Sequence, residues 1–337
     1  MVIDDTFFME LAIKEAWKFQ LLTYPNPAVG CCIVDHNGSL LALRAHEKAG
    51  CAHAEVLALQ DAYVKLTNDT SILSCSSSHD IHQFLLDNHN NIFSKCTLYV
   101  TLEPCAHVGK TPSCALLICH LHIRRVIIGA KDETKAAKGG IRLLQDSNIT
   151  TNISSLRQEA DDLLFPFNAW QKKSLVFFKL AQRLNGSIDG GIISSRQSRK
   201  LVHALRDVCD LLVIGGNTVR QDRPTLDARM VGGGAPDVLI VSRSKDFDHN
   251  IPLFNVPNRK VMIEDNFELI KNYRLVMIEG GTSMFEISKP YVDCYLSFVA
   301  PACDVGVGYG ATKINFRFLH VSKYFDDILI WMKQDKG

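Results

Sequence analysis

The sequence reads HAEV at residues 53–56 and, after a polar interval, TLEPCAHVGKTPSC at residues 101–114. The first stretch opens a run, residues 53–66, in which Val56, Leu59 and Tyr63 recur at helical spacing and predict an amphipathic helix. Working outward, residues 31–34 and 40–43 are short apolar runs joined across Asn37 and Gly38, which predicts two strands in a tight hairpin. Residues 97–101 and 125–130 read as further strands, with a helix starting near Ser113 between them. Upstream, Thr6 can cap a helix carrying Phe7, Leu11, Ala12 and Trp17, which Pro25 and Pro27 prevent from continuing. Helix and strand signals alternate, so the expected fold class is layered α/β.

The same two stretches carry chemistry. A catalytic zinc site takes three protein ligands from His, Cys or carboxylate and keeps one position open for water; His53, Cys105 and Cys114 meet that count. Glu55, two residues after the histidine, is placed to take a proton from an activated water and deliver it to a leaving amine. Zinc deaminases pair H-x-E with P-C-x-x-C, whereas here eight residues separate the cysteines. The longer loop carries Gly109, Lys110, Thr111 and Pro112, with charge and donors suited to a phosphate. A lone histidine is more often a helix cap or a core residue, and a lone cysteine a small buried apolar one. HAE, PC and a downstream cysteine in helix, strand, loop order outweigh that reading. Of the eleven cysteines, an odd number that cannot fully pair, Cys31, Cys32, Cys96, Cys119, Cys209, Cys294 and Cys303 are expected to pack in cores.

At about 150 residues per domain, 337 residues predict two domains. Their expected limits are 1–152 and 174–337, joined near 150–173, where a helix leads through Phe165, Pro166 and Phe167 into a strand. Residues 67–95, rich in Ser, Asn, His and Asp, read as a polar surface insertion with one short helix near 83–86, whose histidines and Cys75 are solvated more readily than they form a second metal site. From residue 175 a second alternation predicts a strand to 181, a helix around 195–206, and strands at 211–214, 238–241, 260–263 and 275–278. Two strands run into glycines, Gly215–Gly216 and Gly280–Gly281, and a glycine-ended strand before a helix offers backbone donors to dinucleotide phosphates. No G-x-G-x-x-G is present, so GGNTV alone fits an ordinary strand-to-helix turn equally well. Thirty-seven basic and 36 acidic residues leave a net charge of +1, and 8% aromatic content supplies no stacking platform; nucleic acid is not an expected partner. The N-terminus lacks the features of a secretory signal and no apolar run reaches the roughly 18 residues of a membrane span, so a cytoplasmic location without membrane association is expected.

HAEV, PNPAVG at 25–30 and TLEPCAHVGKTPSC together resemble the bifunctional deaminase/reductase family of riboflavin biosynthesis. The resemblance implies a cytidine-deaminase-like α/β/α domain followed by a dihydrofolate-reductase-like α/β domain that uses NADPH. It implies a phosphoribosylamino-diaminopyrimidinone substrate, a phosphorylated pyrimidine, that loses one ring amine to water before its ribosyl group is reduced to ribityl. On this reading Asn26 and His46 lie at the ring, Glu55 shuttles the proton, one zinc sits on His53, Cys105 and Cys114, and His107, Lys110 and Thr111 bind the phosphate. In the second half, FKLAQRLNG, SRKLVHALR, GGNTVRQDRPTLDAR and IEGGTS carry the likeness. They imply Lys179 and Asp222 near the transferred hydride and ribose, Arg206 and Arg229 on the substrate phosphate, and Thr218, Asp222, Glu279, Gly280, Gly281 and Thr282 at the cofactor. A homo-oligomer is implied as well. RLNG stands where the family reads SLDG, and Asp222-Arg223 where it has paired aspartates. These departures leave open a monofunctional deaminase with a degenerate second domain; a nucleic-acid base deaminase using the same zinc core is a separate alternative.

Overall fold

The computed structural model describes residues 3–107, 109, 111–134, 139–306, 308 and 313–335. The chain divides into two compact units, Met1–Phe165 and Pro166–Gly337. The first contains α1 (Asp5–Trp17), β1 (Gly30–Val34), β2 (Leu40–Ala45), α2 (Ala54–Thr67), α3 (Ser78–Asn88), β3 (Thr97–Leu102), α4 (Cys114–His120), β4 (Arg125–Ala130), α5 (Gly140–Asp146) and β5 (Thr150–Ile153); the division falls inside α6 (Arg157–Lys172).

Five strands pair in the order β2-β1-β3-β4-β5, antiparallel across the first two junctions and parallel across the last two. Side chains alternate between sheet faces, and both faces are covered, which is why β1 and β3 read as nearly continuous apolar runs. Cys31, Ile33, Leu98, Val100, Val126 and Ile128 pack with Val56, Leu59, Leu117 and Ile118 of α2 and α4. On the opposite face Tyr99 meets Phe8 of α1, ring centroids 5.3 Å apart.

Three expectations are corrected here. The cap of α1 is Asp4, whose carboxylate accepts the Phe7 N–H; Thr6 lies inside the helix and pairs with Ser155, because the charged Asp4 both caps and favours the helix dipole. The β1–β2 link is a wider loop, residues 35–39, in which Asp35 accepts the N–H groups of Asn37 and Ser39, both at 2.8 Å. Residues 67–95 are mostly solvent-facing and carry the expected helix, but in a longer form and with a buried side that the composition did not suggest. They form a 3-10 turn, Ser71–Ser74, and the eleven-residue α3 with a Ser77–Asp80 capping box, and they bury Ile72, Ile81, Leu85 and Phe93 in the same core as Leu59 and Tyr63.

The second unit contains β6 (Leu175–Arg183), α7 (Arg196–Val208), β7 (Leu211–Gly215), α8 (Gly216–Asp222), β8 (Asp237–Val241), β9 (Val261–Glu264), β10 (Leu275–Glu279), α9 (Thr282–Ser288), β11 (Cys294–Ala300), β12 (Phe316–Tyr324) and β13 (Asp327–Gln334). The sheet order is β12-β13-β11-β6-β10-β7-β8-β9. The six strands from β11 to β9 are parallel to their neighbours, and the β12–β13 hairpin adds antiparallel to β11. The parallel strands therefore end on one edge, where open α/β sheets bind ligands. Sequence reasoning marked neither β5 nor β11, β12 and β13. Cys31, Cys32, Cys96, Cys209 and Cys294 are buried as expected and Cys119 is half-buried, but Cys303 is exposed because β11 ends at Ala300.

Candidate active sites

In the first unit, two helix N-termini and one strand end converge. His53 is the N-cap of α2, Cys114 is the first residue of α4, and Cys105 follows the end of β3. His53 Nδ1 lies 3.4 Å from Cys114 Sγ and 3.8 Å from Cys105 Sγ. Among the described residues these three are the group of His, Cys or acidic side chains whose ligand atoms all fall within 4.8 Å of one another, a donor set that fits zinc. The histidines and Cys75 of residues 67–95 form no such group among the described residues.

The backbone around Cys105 is fixed from several sides. Its carbonyl accepts from Ser113 Oγ at 2.8 Å and from the Ala115 N–H at 3.1 Å, and its sulfur accepts the Cys114 N–H at 3.4 Å. Hydrogen bonding from Cys114, which outweighs burial, and the neighbouring His53 bring the Cys105 thiol down to about 4. The Cys114 thiol is pushed up, first by Cys105 and then by burial. A charge-sharing sulfur pair beside an imidazole at helix N-termini is the environment that prepares thiolates for a metal.

Glu55, in the first turn of α2, is buried, and burial raises its carboxyl above the usual range. His46 is also buried, which pushes it down to about 4 and keeps it neutral. Its Nδ1 donates to the Ala52 carbonyl at 3.1 Å, leaving Nε2 to accept from Asn26 Nδ2 at 3.0 Å. That assignment turns the Asn26 amide oxygen away from His46. Asn26 is itself held, since its N–H donates to the Thr23 carbonyl at 2.8 Å and its carbonyl accepts from Thr23 Oγ1 at 2.9 Å. His107 is exposed in the loop between the cysteines; Lys110 lies outside the described residues. Thr111, expected at a phosphate, instead places Oγ1 3.4 Å from His53 Nε2.

Sequence reasoning missed Glu103, one residue before the Pro-Cys pair. Its carboxylate accepts three backbone N–H groups, from Gly139 and Ile141 at 3.0 Å and from Asp132 at 3.2 Å. Gly140 lies so close to the Pro104 carbonyl that a Cβ would sit 1.9 Å from its oxygen. Together they clamp the residues leading into Cys105 against the start of α5. The residue stands in the quoted stretch, next to the Pro-Cys pair, but a carboxylate that binds backbone leaves no periodic trace.

In the second unit, Lys179 of β6 and Glu279 of β10 are register partners on adjacent parallel strands. Lys179 Nζ lies 3.5 Å from Glu279 Oε2, and Arg206 of α7 binds the same carboxylate through Nε at 3.0 Å and Nη2 at 2.8 and 3.1 Å. Burial would raise the Glu279 carboxyl, but Arg206 and Lys179 overcome it and hold the group down at about 2. Gly280 has φ +156°, with a Cβ position 2.6 Å from Met284 Cβ, so glycine is required where β10 turns into α9. Gly281 caps α9 and Thr282 Oγ1 donates to the Gly308 carbonyl at 3.1 Å. Thr218 lies in α8, and Asp222 ends that helix at an exposed position. Arg229 is exposed and pairs with Asp227 at 3.3 Å.

The residues that break the family pattern have structural partners. Arg183 is buried at the end of β6, where Nη1 donates to the Asp189 carbonyl and lies 3.4 Å from Ser187 Oγ, and Nη2 lies 3.4 Å from the Gly190 carbonyl and 3.8 Å from Asp304. Asn185 Nδ2 donates to the Asp304 carbonyl at 2.6 Å. Arg223 pairs with Asp248 at 2.6 Å in the open. Arg183 thus braces the loop after β6.

A three-ligand His/Cys site with a buried glutamate on a mixed sheet is the arrangement of a zinc-type deaminase, and the mainly parallel sheet that follows, with Lys179 and Arg206 on the buried Glu279, is a second enzyme-like domain. Residues 2–130 match the cytidine and deoxycytidylate deaminase zinc-binding region, and residues 181–301 match the RibD C-terminal domain. The chain is 33% identical to the riboflavin biosynthesis protein RibD of Aquifex aeolicus over 98% of both chains. It is 26% identical to that of Mycobacterium tuberculosis, over 96% of this chain and 95% of the relative. Among solved structures, the diaminohydroxyphosphoribosylaminopyrimidine deaminase/5-amino-6-(5-phosphoribosylamino)uracil reductase of Thermotoga maritima superposes with a TM-score of 0.65 at 24% identity, covering 97% of this chain and 98% of that one. Acinetobacter baumannii RibD superposes with a TM-score of 0.64 at 23% identity, covering 98% and 99%. The chain belongs to the RibD family of riboflavin biosynthesis proteins. It is a bifunctional enzyme with a zinc-binding deaminase domain followed by the RibD C-terminal reductase domain, and the two alternatives left open by the sequence are not favoured. No described helix is long and apolar enough to cross a membrane.

Proposed function

We propose that His53 Nδ1, Cys105 and Cys114 hold one zinc ion and that the deaminase acts on a phosphoribosylamino-diaminopyrimidinone. The observation that carries this reading is the convergence of those three donors at two helix N-termini beside the buried Glu55. A zinc ion held by these three residues would supply an activated water, its pKa lowered to about 7. Glu55, buried beside the ligands with its carboxyl raised by burial, takes a proton from that water and passes it to the departing ring amine. Asn26, oriented by neutral His46, offers its amide oxygen to a ring N–H, and His107 with Lys110 binds the phosphate.

For the reductase, we propose that the product enters at the C-terminal edge of β6 and β10. NADPH supplies the hydride. Lys179 and Glu279 would meet the ribosyl oxygens, with Asp222 and Thr218 toward the cofactor and Gly280, Gly281 and Thr282 lining its phosphates. Arg206 is committed to Glu279, so the substrate phosphate falls to Arg229. The partner is a small phosphorylated pyrimidine. A homo-oligomer is supported by the edge strand β12, which exposes Phe318 and Val321, and a cytoplasmic location by the need to keep Cys105 and Cys114 reduced.

The test supplies the diaminopyrimidinone phosphate with NADPH and follows ammonia release, NADPH absorbance and zinc content on one sample. Glu55→Gln is expected to keep zinc, lose deamination and still oxidise NADPH on presupplied deaminated intermediate. Loss of zinc from that variant would sink the role given to Glu55, and ammonia release without any NADPH oxidation by the wild type would sink the bifunctional assignment.

A further inference from the structure

We propose that Thr111 is a positioning residue of the metal centre: its hydroxyl oxygen accepts the Nε2–H of His53 and so fixes the tautomer whose Nδ1 lone pair faces Cys105 and Cys114. The inference rests on the ligand set proposed above. A neutral imidazole has one N–H and one lone pair, so whichever nitrogen holds the proton cannot bind a metal. In His53 the two nitrogens face different chemistry. Nδ1 looks at two sulfurs, 3.4 and 3.8 Å away, and Nε2 at one hydroxyl oxygen 3.4 Å away. Among the described residues, Thr111 is the hydrogen-bond partner formed at Nε2. Thr111 is itself anchored, because its carbonyl accepts the Gly109 N–H at 3.1 Å and the chain two residues on is pinned by the Ser113 side chain on Cys105.

This geometry also gives the eight-residue spacing between the cysteines a purpose. A two-residue spacer would carry the chain directly from one thiolate to the other, whereas the longer loop lays a hydroxyl against the outer nitrogen of the third ligand. Partners of this kind orient a metal-bound imidazole and raise its basicity, and their loss typically weakens metal binding about 10- to 100-fold. The hydroxyl proton of Thr111 remains free to point elsewhere, so zinc affinity reports on its acceptor side and KM on its donor side.

The experiment measures zinc affinity of the full chain by competition with a chromophoric chelator, alongside kcat and KM for the phosphorylated substrate. Thr111→Val, which keeps shape and deletes the acceptor, is expected to weaken zinc by at least about tenfold with little change in KM, and Thr111→Ser to restore binding to within about threefold of wild type. Wild-type zinc affinity in Thr111→Val overturns the proposal, whatever happens to KM; a raised KM with zinc unchanged would mark Thr111 as a phosphate contact. Circular dichroism of the metal-free Ser and Val variants establishes that both are folded. His53→Ala serves as the control: if it also binds zinc like the wild type, the ligand set itself is wrong, whereas zinc loss in His53→Ala alone removes only the role of Thr111.

Discussion

Glu103 and Glu279 are both buried carboxylates, and they neutralise their burial in different ways. Glu103 does so with three peptide N–H groups, which makes it a staple for the polypeptide around Pro104. Glu279 does so with Arg206 and Lys179, which makes it the centre of a charged cluster. Its ordinary value is 4.5 and its folded value about 2, so as pH falls the unfolded chain takes up the proton first. Stability of the reductase unit is therefore expected to hold above about pH 5 and to decline as pH drops from about 4.5 toward about 2. Denaturant titrations at several pH values check this, and Glu279→Gln should flatten the acid slope. At neutral pH that variant leaves the half-buried Arg206 and Lys179 without their counter-ion, a loss below the roughly 3–5 kcal/mol of a fully buried pair.

At the scale of elements, α3 is the case where composition misled. SHDIHQFLLDN is polar enough to read as a solvated segment, yet Ile81 and Leu85 stand four apart on one helical face and enter the core with Ile72 and Phe93. Leu85→Ala is expected to destabilise the deaminase unit by about 2–5 kcal/mol, measured by chemical denaturation; a change under about 0.5 kcal/mol would mean that the segment does not pack as described. By contrast α2, α4, β3, β4 and β6–β10 were legible because their apolar positions repeat at the period of their own structure and their ends carry caps or glycines. β11 was hidden for the opposite reason to α3: CYLSFVA is buried along its whole length, Ser297 included, and a strand covered on both faces shows no alternation to read. Of the first site, the ligands and Glu55 were legible because metal chemistry restricts residue type. Glu103 was not, since backbone recognition restricts only position. In the second unit, Arg206 was readable as a cation but not as the partner of Glu279, a residue 73 positions away whose proximity comes from sheet order alone.

For the whole molecule, two units with separate cores predict two stability responses. A ligand stabilises the unit that binds it by an amount set by its concentration over Kd. Zinc chelation is expected to lower the thermal transition of the deaminase unit and leave that of the reductase unit in place, with NADPH acting on the second alone. Calorimetry with chelator and with NADPH tests this, and a single transition that moves with both would refute separate responses. Arg183 bears on how such a chain can change over time. One guanidinium serves the carbonyls of Asp189 and Gly190 and reaches toward Asp304, while Asn185 reaches the same Asp304 segment. Arg183 and Asn185 hold that segment separately, so a chimera that takes residues 183–190 from a homologue without the counterpart of Asp304 receives half a joint.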